Sequence, residues 1–204
     1  LAQLIGQFFA PDEFCVVQGD AQVASQFAGL PFDHLFFTGS TAVGRKVAIA
    51  AAQHLTPTTL ELGGKSPCII STDADLEQAA LRIAHGKLLN AGQTCIAPDY
   101  LLLPRGQESA FEQAYVKAVA QLFPTIAGNP DYAAIINAKQ WSRLRGLAQQ
   151  AQAQGAHVQW LQEPAPAAAA PHAGWSDSQQ RQLPPALVWN VHSEMAIMQE
   201  EIFG

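Results

Sequence analysis

Short apolar runs alternate along the chain with longer segments in which apolar residues recur at helical spacing. Runs that are rich in β-branched and aromatic residues and bounded mostly by Gly, Pro or Asp are typical of β-strands. The sequence predicts seven such strands, at Phe14–Gln18, His34–Phe37, Thr58–Leu62, Cys68–Ser71, Tyr100–Leu103, His157–Leu161 and Leu187–Val191.

Three segments between these runs carry the pattern of an amphipathic helix. The first begins near Ser40, the second covers Leu76–Leu88 and the third covers Phe111–Leu122. In each, apolar residues fall three and four positions apart, which places them on one face of a helix. Asp73 and Asp75 precede the second helix and are candidates to cap its first turn. Strands and helices in alternation predict an α/β fold with a largely parallel sheet.

Composition argues against several classes of protein. With 204 residues, 49% of them hydrophobic and 14% charged, the chain can bury a full core and is not of the disordered class. The formal net charge is -6 and no basic run is present, so nucleic acid is not an expected partner. No stretch approaches the roughly 18 consecutive apolar residues of a membrane span, and the first residues do not resemble a signal peptide. These features predict a cytoplasmic protein without a membrane span.

The three cysteines predict reduced thiols. Cys15, Cys68 and Cys95 form neither a CxxC pair nor an even disulfide framework. Cys15 and Cys68 lie in apolar predicted strands and are expected in the core, where free cysteine usually behaves as a small hydrophobic residue. Cys95 follows a predicted helix in a small polar turn that contains Gly, so its thiol is the candidate for chemistry.

Two features bear on domain organisation. The chain opens with Leu1 and closes on the apolar sequence Glu-Glu-Ile-Phe-Gly, which predicts a piece of a longer polypeptide, with a processed terminus as the alternative. Five prolines and a run of alanines in Glu163–Pro185 predict a surface loop or short linker. The length allows one large domain or parts of two.

Two further segments carry candidate chemistry. His34–Lys46 predicts a strand, a Gly-Ser turn and a helix start, where free backbone N–H groups could bind an anion such as a pyrophosphate. It lacks both the Walker pattern and GxGxxG, so an ordinary strand-to-helix turn is an equal alternative. Glu61 lies in an apolar strand before two glycines, a costly place for a buried charge. An ion pair with Lys65, or a position at a sheet edge, is the alternative for this carboxylate.

Three segments, LTPTTLELGGKSP, AGQTCIAPDY and EEIFG, resemble signature segments of the aldehyde dehydrogenase superfamily in the same order. The form AGQTCIAPDY is similar to the class 3 branch, which includes fatty-aldehyde and coniferyl-aldehyde dehydrogenases. The resemblance implies an aldehyde dehydrogenase-like α/β fold. Residues 1–63 would be the C-terminal part of a Rossmann-like NAD(P)-binding domain. Residues 64–204 would be a parallel-sheet catalytic domain that is incomplete at its C-terminus.

The resemblance also implies a reaction and roles for individual residues. The reaction is the oxidation of an aldehyde, aromatic such as coniferyl aldehyde or long-chain aliphatic, to the carboxylic acid with NAD or NADP. Cys95 would form a thiohemiacetal and then a thioester, and Glu61 would deprotonate the water that hydrolyses the thioester. The whole protein would be a homodimer. The implied cofactor-binding residues are Thr38, Gly39, Ser40, Gly44, Leu62, Glu201 and Phe203.

Other interpretations stay open on the sequence alone. Cys95 could be the nucleophile of a hydrolase with His85 or His54 as its base, or a redox-sensing thiol. The chain could also be a non-catalytic folding or interaction unit. The histidines offer no HxxxH and no His/Cys pair at ligand spacing, so no metal site is predicted. Asp99 and Tyr100, although they belong to AGQTCIAPDY, are interpreted as structural turn and strand residues.

Overall fold

The computed structural model describes residues 1–162 and 181–204. The chain divides into two compact units, Leu1–Leu62 and Gly63–Gly204. This division lies one residue from the domain boundary that the sequence predicts, while the roles predicted for the two units, cofactor binding and catalysis, stay predictions. Within the described ranges, no helix is both long and apolar enough to cross a membrane.

The first unit is built on a strand, a helix and a second strand. Strands β1 (Leu35–Gly39) and β2 (Thr58–Leu62) pair in parallel, and helix α3 (Thr41–Ala52) connects them. Ser40 caps α3, because its hydroxyl oxygen accepts the Val43 N–H at 3.4 Å. The prediction of these three elements is confirmed. The small apolar core of this unit consists of Ala28, Leu35 and Val47.

The N-terminal part of this unit differs from the prediction. Helices α1 (Ala2–Ile5) and α2 (Ala21–Ala28) precede β1, and the Asp20 carboxylate caps α2 by accepting two backbone N–H groups at 2.9 and 3.1 Å. The prediction of a strand at Phe14–Gln18 is wrong. A strand needs a second strand to pair with its backbone, and no described residues pair with this run. Cys15 is therefore exposed instead of buried in a core.

The second unit begins with a parallel pair of strands. Strands β3 (Pro67–Ile69) and β4 (Tyr100–Leu102) are connected through helix α4 (Leu76–Leu88). Asp75 caps α4, as the sequence predicts, because its carboxylate accepts the Gln78 N–H at 3.1 Å. A helix between two parallel strands is the usual crossover of an α/β fold. This pair confirms the predicted alternation of strand and helix.

The other two strands of this unit pair differently from the prediction. Strands β5 (His157–Trp160) and β6 (Ala186–Trp189) run antiparallel, whereas the sequence predicts a largely parallel sheet. The Leu161 N–H donates to the Pro185 carbonyl oxygen at 3.0 Å, so the chain re-enters the sheet at the end where it left. Two strands joined in this way need no crossover and pair antiparallel.

Three more α-helices lie in the described part of the second unit. They are α5 (Glu108–Leu122), α6 (Ala138–Ala153) and α7 (Ala196–Gln199), and α5 packs against α4. The sequence predicts α5 but not α6, because α6 is mostly polar and has a narrow buried face. The largest fully buried side chains of the unit are Phe111, Ile126, Ile135, Met195 and Val119.

The proline-rich surface loop or linker predicted at Glu163–Pro185 is in part a core segment. Residues 163–180 lie outside the described residues. Beyond them, Gln182 is 5% exposed, and its amide donates to the carbonyl oxygens of Asn129 at 2.5 Å and Tyr132 at 2.8 Å. The Tyr132 hydroxyl in turn donates to the Leu183 carbonyl oxygen at 3.1 Å. The prediction of a surface loop is therefore wrong for residues 182–184, which are buried. This part of the chain can be buried because the Gln182 amide and the Tyr132 hydroxyl satisfy backbone carbonyl groups there.

Candidate active site

A short, tightly turned segment carries Cys95 at the end of helix α4. After Leu88 the chain adopts the left-handed conformation at three consecutive residues, Asn90 (φ 51°), Ala91 (φ 53°) and Gly92 (φ 76°). Left-handed backbone is unfavourable for a residue with a side chain, and such strain concentrates at functional sites. The turn that follows exposes the Cys95 thiol, and among the described residues no acceptor takes the Cys95 N–H. An exposed thiol beside a free backbone donor is suited to nucleophilic attack on a carbonyl group.

Gln93 holds this turn in place. Its amide nitrogen donates to the carbonyl oxygens of Asn90 and Ala134, each at 3.0 Å, and its amide oxygen accepts the Ile136 N–H at 2.9 Å. The Gln93 side chain therefore links the segment before Cys95, through hydrogen bonds, to the backbone at Ala134 and Ile136. The sequence motif contains Gln93, but nothing in the sequence indicates which backbone groups it binds.

The other two cysteines differ from Cys95 in ways that bear on reactivity. Cys68 is partly buried against the main core, and burial raises the pKa of its thiol. A raised pKa leaves less thiolate near neutral pH, so Cys68 is a poor nucleophile. The expectation that Cys68 is a core residue is confirmed in part, while the same expectation for Cys15 is wrong.

The second unit contains a buried carboxylate, that of Asp99, beside two lysine side chains. The side chain of Asp99 is 2% exposed, and its oxygens lie 3.2 Å from the Lys65 ammonium and 3.6 Å from the Lys87 ammonium. It also accepts the Ile202 N–H at 3.0 Å. Burial lowers the pKa of both lysines, against the opposing effect of the Asp99 charge. Asp99 therefore has a structural role, as the sequence predicts, in which its carboxylate pairs with two lysines. One of them, Lys65, is the residue that the sequence offers as an alternative partner of Glu61.

The terminal Glu-Glu-Ile-Phe segment lies beside this charge cluster. Arg143, from helix α6, donates to the carbonyl oxygens of Glu201 at 3.3 Å and Ile202 at 2.5 Å. The Glu201 carboxylate lies against Gly63, and its Oε1 atom is buried without a hydrogen-bond partner among the described residues. Phe203 adopts the left-handed conformation, with φ 50°. A buried acceptor without a donor is the kind of group that a ligand hydroxyl can satisfy.

In the first unit, the predicted residues gather at the carboxyl ends of β1 and β2. Thr38 lies opposite Glu61 in the register of the two strands, and Gly39 lies opposite Leu62. Gly44, on the first turns of α3, packs against Leu62, since a Cβ atom there would lie 2.7 Å from the leucine Cδ2. Ligands bind at this edge of parallel sheets in α/β proteins. The strand-to-helix turn at Ser40 completes the group.

The Glu61 side chain differs from the expectation. The sequence predicts a carboxylate buried in an apolar strand, but Glu61 is the exposed residue of β2. Successive side chains of a strand point to opposite faces of the sheet, so apolar neighbours do not by themselves bury the residue between them. Its carboxylate is therefore open to water.

The histidines proposed as alternative bases are both exposed. His85 lies on α4, and His54 lies just beyond the end of α3. Among the described residues, no group of three or more His, Cys, Asp or Glu side chains could hold a metal ion. A cavity of about 510 Å³ in the second unit is lined mainly by apolar residues, which come from β4, β6, helices α4 and α6 and the loops between them, and Cys95 does not line it. We therefore do not assign this cavity as the binding site of an aldehyde substrate that reacts with Cys95.

The sequence model of the aldehyde dehydrogenase family matches residues 1–204. The chain belongs to the aldehyde dehydrogenase family. It is 48% identical over 204 residues to a probable coniferyl aldehyde dehydrogenase of Pseudomonas aeruginosa, with 100% of this chain and 40% of that protein covered. It is 40% identical over 205 residues to aldehyde dehydrogenase family 3 member A2 of Mus musculus, with 100% and 39% covered. These relatives confirm the class 3 resemblance, and the chain spans about 40% of their length.

Solved structures of aldehyde dehydrogenases share the fold. Staphylococcus aureus AldH in a substrate-bound state matches with a TM-score of 0.84 and 38% identity, covering 100% of this chain and 41% of that one. The indole-3-acetaldehyde dehydrogenase AldA of P. syringae, in complex with NAD+ and IAA, matches with a TM-score of 0.73 and 26% identity, covering 89% and 36%. These matches confirm the predicted aldehyde dehydrogenase-like α/β fold.

Proposed function

We propose that the whole protein oxidises an aldehyde to a carboxylic acid with NAD or NADP, and that this chain supplies the nucleophile and the general base. The observation that carries the proposal is the exposed Cys95 thiol in a strained turn, beside a backbone N–H without an acceptor among the described residues. Membership of the aldehyde dehydrogenase family supports it. A thiol and a free backbone donor are the two groups that attack on an aldehyde carbon requires.

The first half of the reaction takes place on Cys95. Its thiolate attacks the aldehyde carbon, a C–S bond forms, and the carbonyl oxygen becomes an oxyanion that the Cys95 N–H stabilises. A bound NAD or NADP would supply the acceptor for the hydride that leaves this carbon. The acyl group then remains on Cys95 as a thioester. The left-handed segment before the turn holds the donor in position before the aldehyde arrives.

The second half of the reaction hydrolyses the thioester. Glu61 takes a proton from a water molecule, the resulting hydroxide attacks the acyl carbon, and the C–S bond breaks to release the acid and the thiolate. The exposure of Glu61 suits this role, because the water that it activates must come from solvent. Its position opposite Thr38 places it at the carboxyl edge of the strands.

Two groups of residues fit a dinucleotide. The Gly39–Ser40 turn leads into α3, a helix of 12 residues, and helix N-termini favour phosphate. We assign Thr38 and Gly44 to the same turn and Leu62 to the nicotinamide. Glu201, with a buried oxygen that no described donor satisfies, is assigned to the ribose hydroxyls, and Phe203 packs beside them. The NAD+ complex of AldA from P. syringae supports this class of cofactor.

The relatives suggest the class of aldehyde. The Pseudomonas aeruginosa relative is named a probable coniferyl aldehyde dehydrogenase, so we propose coniferyl aldehyde or a related aromatic aldehyde as the substrate. Long-chain aliphatic aldehydes are the alternative substrates, because the chain also resembles the fatty-aldehyde dehydrogenases of the class 3 branch. A homodimer is proposed for the whole protein on the same relationship.

Spectrophotometry of the whole protein tests this function. The protein is mixed with coniferyl aldehyde or a long-chain aliphatic aldehyde and either NAD or NADP, and formation of the reduced cofactor is followed. We expect aldehyde-dependent reduction that Cys95→Ala abolishes and that His85→Ala and His54→Ala leave in place. Ester hydrolysis without any reduction of cofactor would instead indicate a hydrolase. No reduction with any pair of aldehyde and cofactor would overturn the proposal.

A further inference from the structure

The terminal segment that carries Glu201 and Phe203 is held from two sides. On one side, the Arg143 guanidinium donates to the carbonyl oxygens of Glu201 and Ile202, at 3.3 and 2.5 Å. On the other side, Asp99 accepts the Ile202 N–H at 3.0 Å. Three hydrogen bonds therefore fix two consecutive peptide groups, although neither Arg143 nor Asp99 is close to this segment in sequence.

The segment needs such support, because its backbone is strained. Phe203 has φ 50°, and a non-glycine residue in the left-handed region persists only when its surroundings hold it there. The two carbonyl groups before Phe203 are those that Arg143 binds. The hydrogen bonds of Arg143 and Asp99 thus lie where they oppose relaxation of the strained residue.

Asp99 is itself held rigidly. Its side chain is 2% exposed, and two ammonium groups lie close to its two oxygens, that of Lys65 at 3.2 Å and that of Lys87 at 3.6 Å. Lys65 comes from the LGGK segment and Lys87 from helix α4, so Asp99 joins both of these to the terminal segment. A buried carboxylate between two cations has little freedom to move, since displacement would leave the charges unpaired.

Arg143 is oriented in a similar way. Its Nε donates to the Gln140 amide oxygen at 2.6 Å, one turn earlier on α6, which leaves the two terminal nitrogens to bind the carbonyl groups. The planar guanidinium presents these donors in a fixed geometry that a lysine ammonium cannot reproduce. The site therefore uses a property that is specific to arginine.

We propose that Arg143 and Asp99 are positioning residues for the cofactor. They fix the backbone conformation of Glu201–Phe203, so that the Glu201 carboxylate and the Phe203 ring contact the nucleotide in a single orientation. This inference rests on the proposed function, in which Glu201 and Phe203 contact the cofactor. It adds two residues that do not touch the cofactor themselves and act through the segment between them.

A double-mutant cycle in the whole protein tests the role of Arg143. The dissociation constant of NAD is measured by calorimetry for the unaltered protein, Arg143→Ala, Glu201→Ala and the double variant. We expect each single substitution to weaken binding by about 10- to 100-fold, and the double variant to be weakened by clearly less than the product of the two single effects. An Arg143 that only stabilises the fold would give effects on binding that multiply, and this result would overturn the proposal.

Matched variants separate positioning from stability. Arg145→Ala removes the same charge from the same helix, at a residue whose guanidinium lies 4.8 Å from the centre of the Trp141 ring, and we expect unchanged NAD affinity. Arg143→Lys keeps the charge but not the planar donors, so it should lose most of the affinity that Arg143→Ala loses. This variant also replaces Arg143→Ala in the cycle if the alanine variant does not fold. Full affinity in a folded Arg143→Lys protein would count against the proposal.

Asp99 is tested by comparing a conservative with a non-conservative change. Asp99→Asn keeps an oxygen that can accept the Ile202 N–H, whereas Asp99→Ala does not. We expect Asp99→Asn to retain more NAD affinity than Asp99→Ala, with a raised KM for NAD and a kcat that changes less than the KM. Equal NAD affinity in the two variants would show that the contact with Ile202 does not matter. If Asp99→Ala does not fold, affinity near that of the unaltered protein in Asp99→Asn supports the proposal, and affinity as weak as that of Glu201→Ala opposes it.

The unaltered protein distinguishes this inference from the proposed function. If it neither binds NAD or NADP nor reduces them with an aldehyde, the proposed function fails and the positioning role fails with it. If it binds and reduces them while the cycle gives effects that multiply, only the positioning role is wrong.

Discussion

The Glu201 carboxylate lies directly against the backbone of Gly63. A Cβ atom built on Gly63 would overlap the carboxylate group, whereas one built on the adjacent Gly64 would meet no described atom within 4 Å. The two glycines of the LGGK segment are therefore not equivalent. Gly63 leaves room for a side chain that we assign to the cofactor, and Gly64 has open space beside it.

A methyl group at Gly63 should therefore weaken cofactor binding. In Gly63→Ala the flexible Glu201 side chain can move away, so we expect the free energy of unfolding to change by less than about 1 kcal/mol. The displaced carboxylate would lose its hydrogen bonds to the ribose, which weakens NAD binding by about 10- to 100-fold. Calorimetric titration of NAD into the whole protein measures this change.

The control for that experiment is Gly64→Ala, where the same methyl group meets open space. We expect NAD affinity within about twofold of the unaltered protein, a difference smaller than most single contacts contribute. Equal weakening in Gly63→Ala and Gly64→Ala would show that the contact with Glu201 is not the cause.

Gly92 is expected to be essential for the turn before Cys95. Its φ of 76° disfavours any side chain, and a Cβ atom there would lie 2.6 Å from the Gly204 carbonyl oxygen, a backbone atom that cannot move alone. Gly106 has a similar φ of 88° but open space around it. Gly106→Ala should cost about 1–2 kcal/mol of stability from the backbone conformation alone. Gly92→Ala should cost at least about 1 kcal/mol more, because overpacking adds to that strain.

Denaturant unfolding of the two variants measures this difference. Similar losses of stability in Gly92→Ala and Gly106→Ala would indicate that the contact with Gly204 contributes nothing. Gly92→Ala should also reduce turnover, because the Cys95 thiol and N–H depend on the same turn.

The three cysteines should respond differently to replacement by alanine. Cys95→Ala removes the nucleophile and should abolish dehydrogenase activity, with little loss of stability because the side chain is exposed. Cys15→Ala, also at an exposed residue, should change stability by less than about 0.5 kcal/mol. Cys68→Ala should cost about 1 kcal/mol, because this side chain packs against the main core. Turnover that survives in Cys95→Ala would contradict the assignment of the nucleophile.

Glu61→Gln should separate the two halves of the reaction. The amide cannot take a proton from water, so acylation of Cys95 proceeds while hydrolysis slows by about 100- to 10,000-fold. We expect a burst of roughly one reduced cofactor per active site, then a slow steady state, with an acyl adduct on Cys95 in the mass spectrum. Rapid-mixing absorbance measurements follow the burst. Normal steady-state turnover, or an unmodified Cys95 without a burst, would be incompatible with a role as base.

Local elements with strong short-range signals could be predicted from the sequence. Strand β2 occupies the residues predicted for it, and Asp75 caps α4 as expected. These features depend on contacts between residues a few positions apart, which spacing and residue type determine directly. The strand predicted at Phe14–Gln18 has the same kind of pattern, but it lacks a partner in the described structure. Strand pairing is a long-range property that the run itself does not contain.

The same distinction applies to the candidate site. The sequence by itself indicated the family, because short motifs of neighbouring residues carry the resemblance, and from the same motifs it predicts Cys95 as the nucleophile and Glu61 as the base. Burial was decided only by the tertiary structure: Glu61 is exposed although its neighbours are apolar, and Gln182 is buried although it follows a proline-rich segment. Burial depends on what packs over a residue, and that neighbour comes from elsewhere in the chain.

The contacts around Asp99 were likewise decided by the tertiary structure alone. Asp99 is 34 residues from Lys65 and 103 residues from Ile202, and Arg143 is 58 residues from Glu201. The sequence motifs contain Lys65, Asp99 and Ile202, but they do not indicate that these residues contact one another. Charged and hydrogen-bonding groups come within contact distance only after packing of the apolar helices and strands has brought their backbones together. In that interior they must then pair, because an unpaired buried charge costs too much free energy. The sequence therefore specified which chemical groups this protein contains, and the fold specified which of them meet.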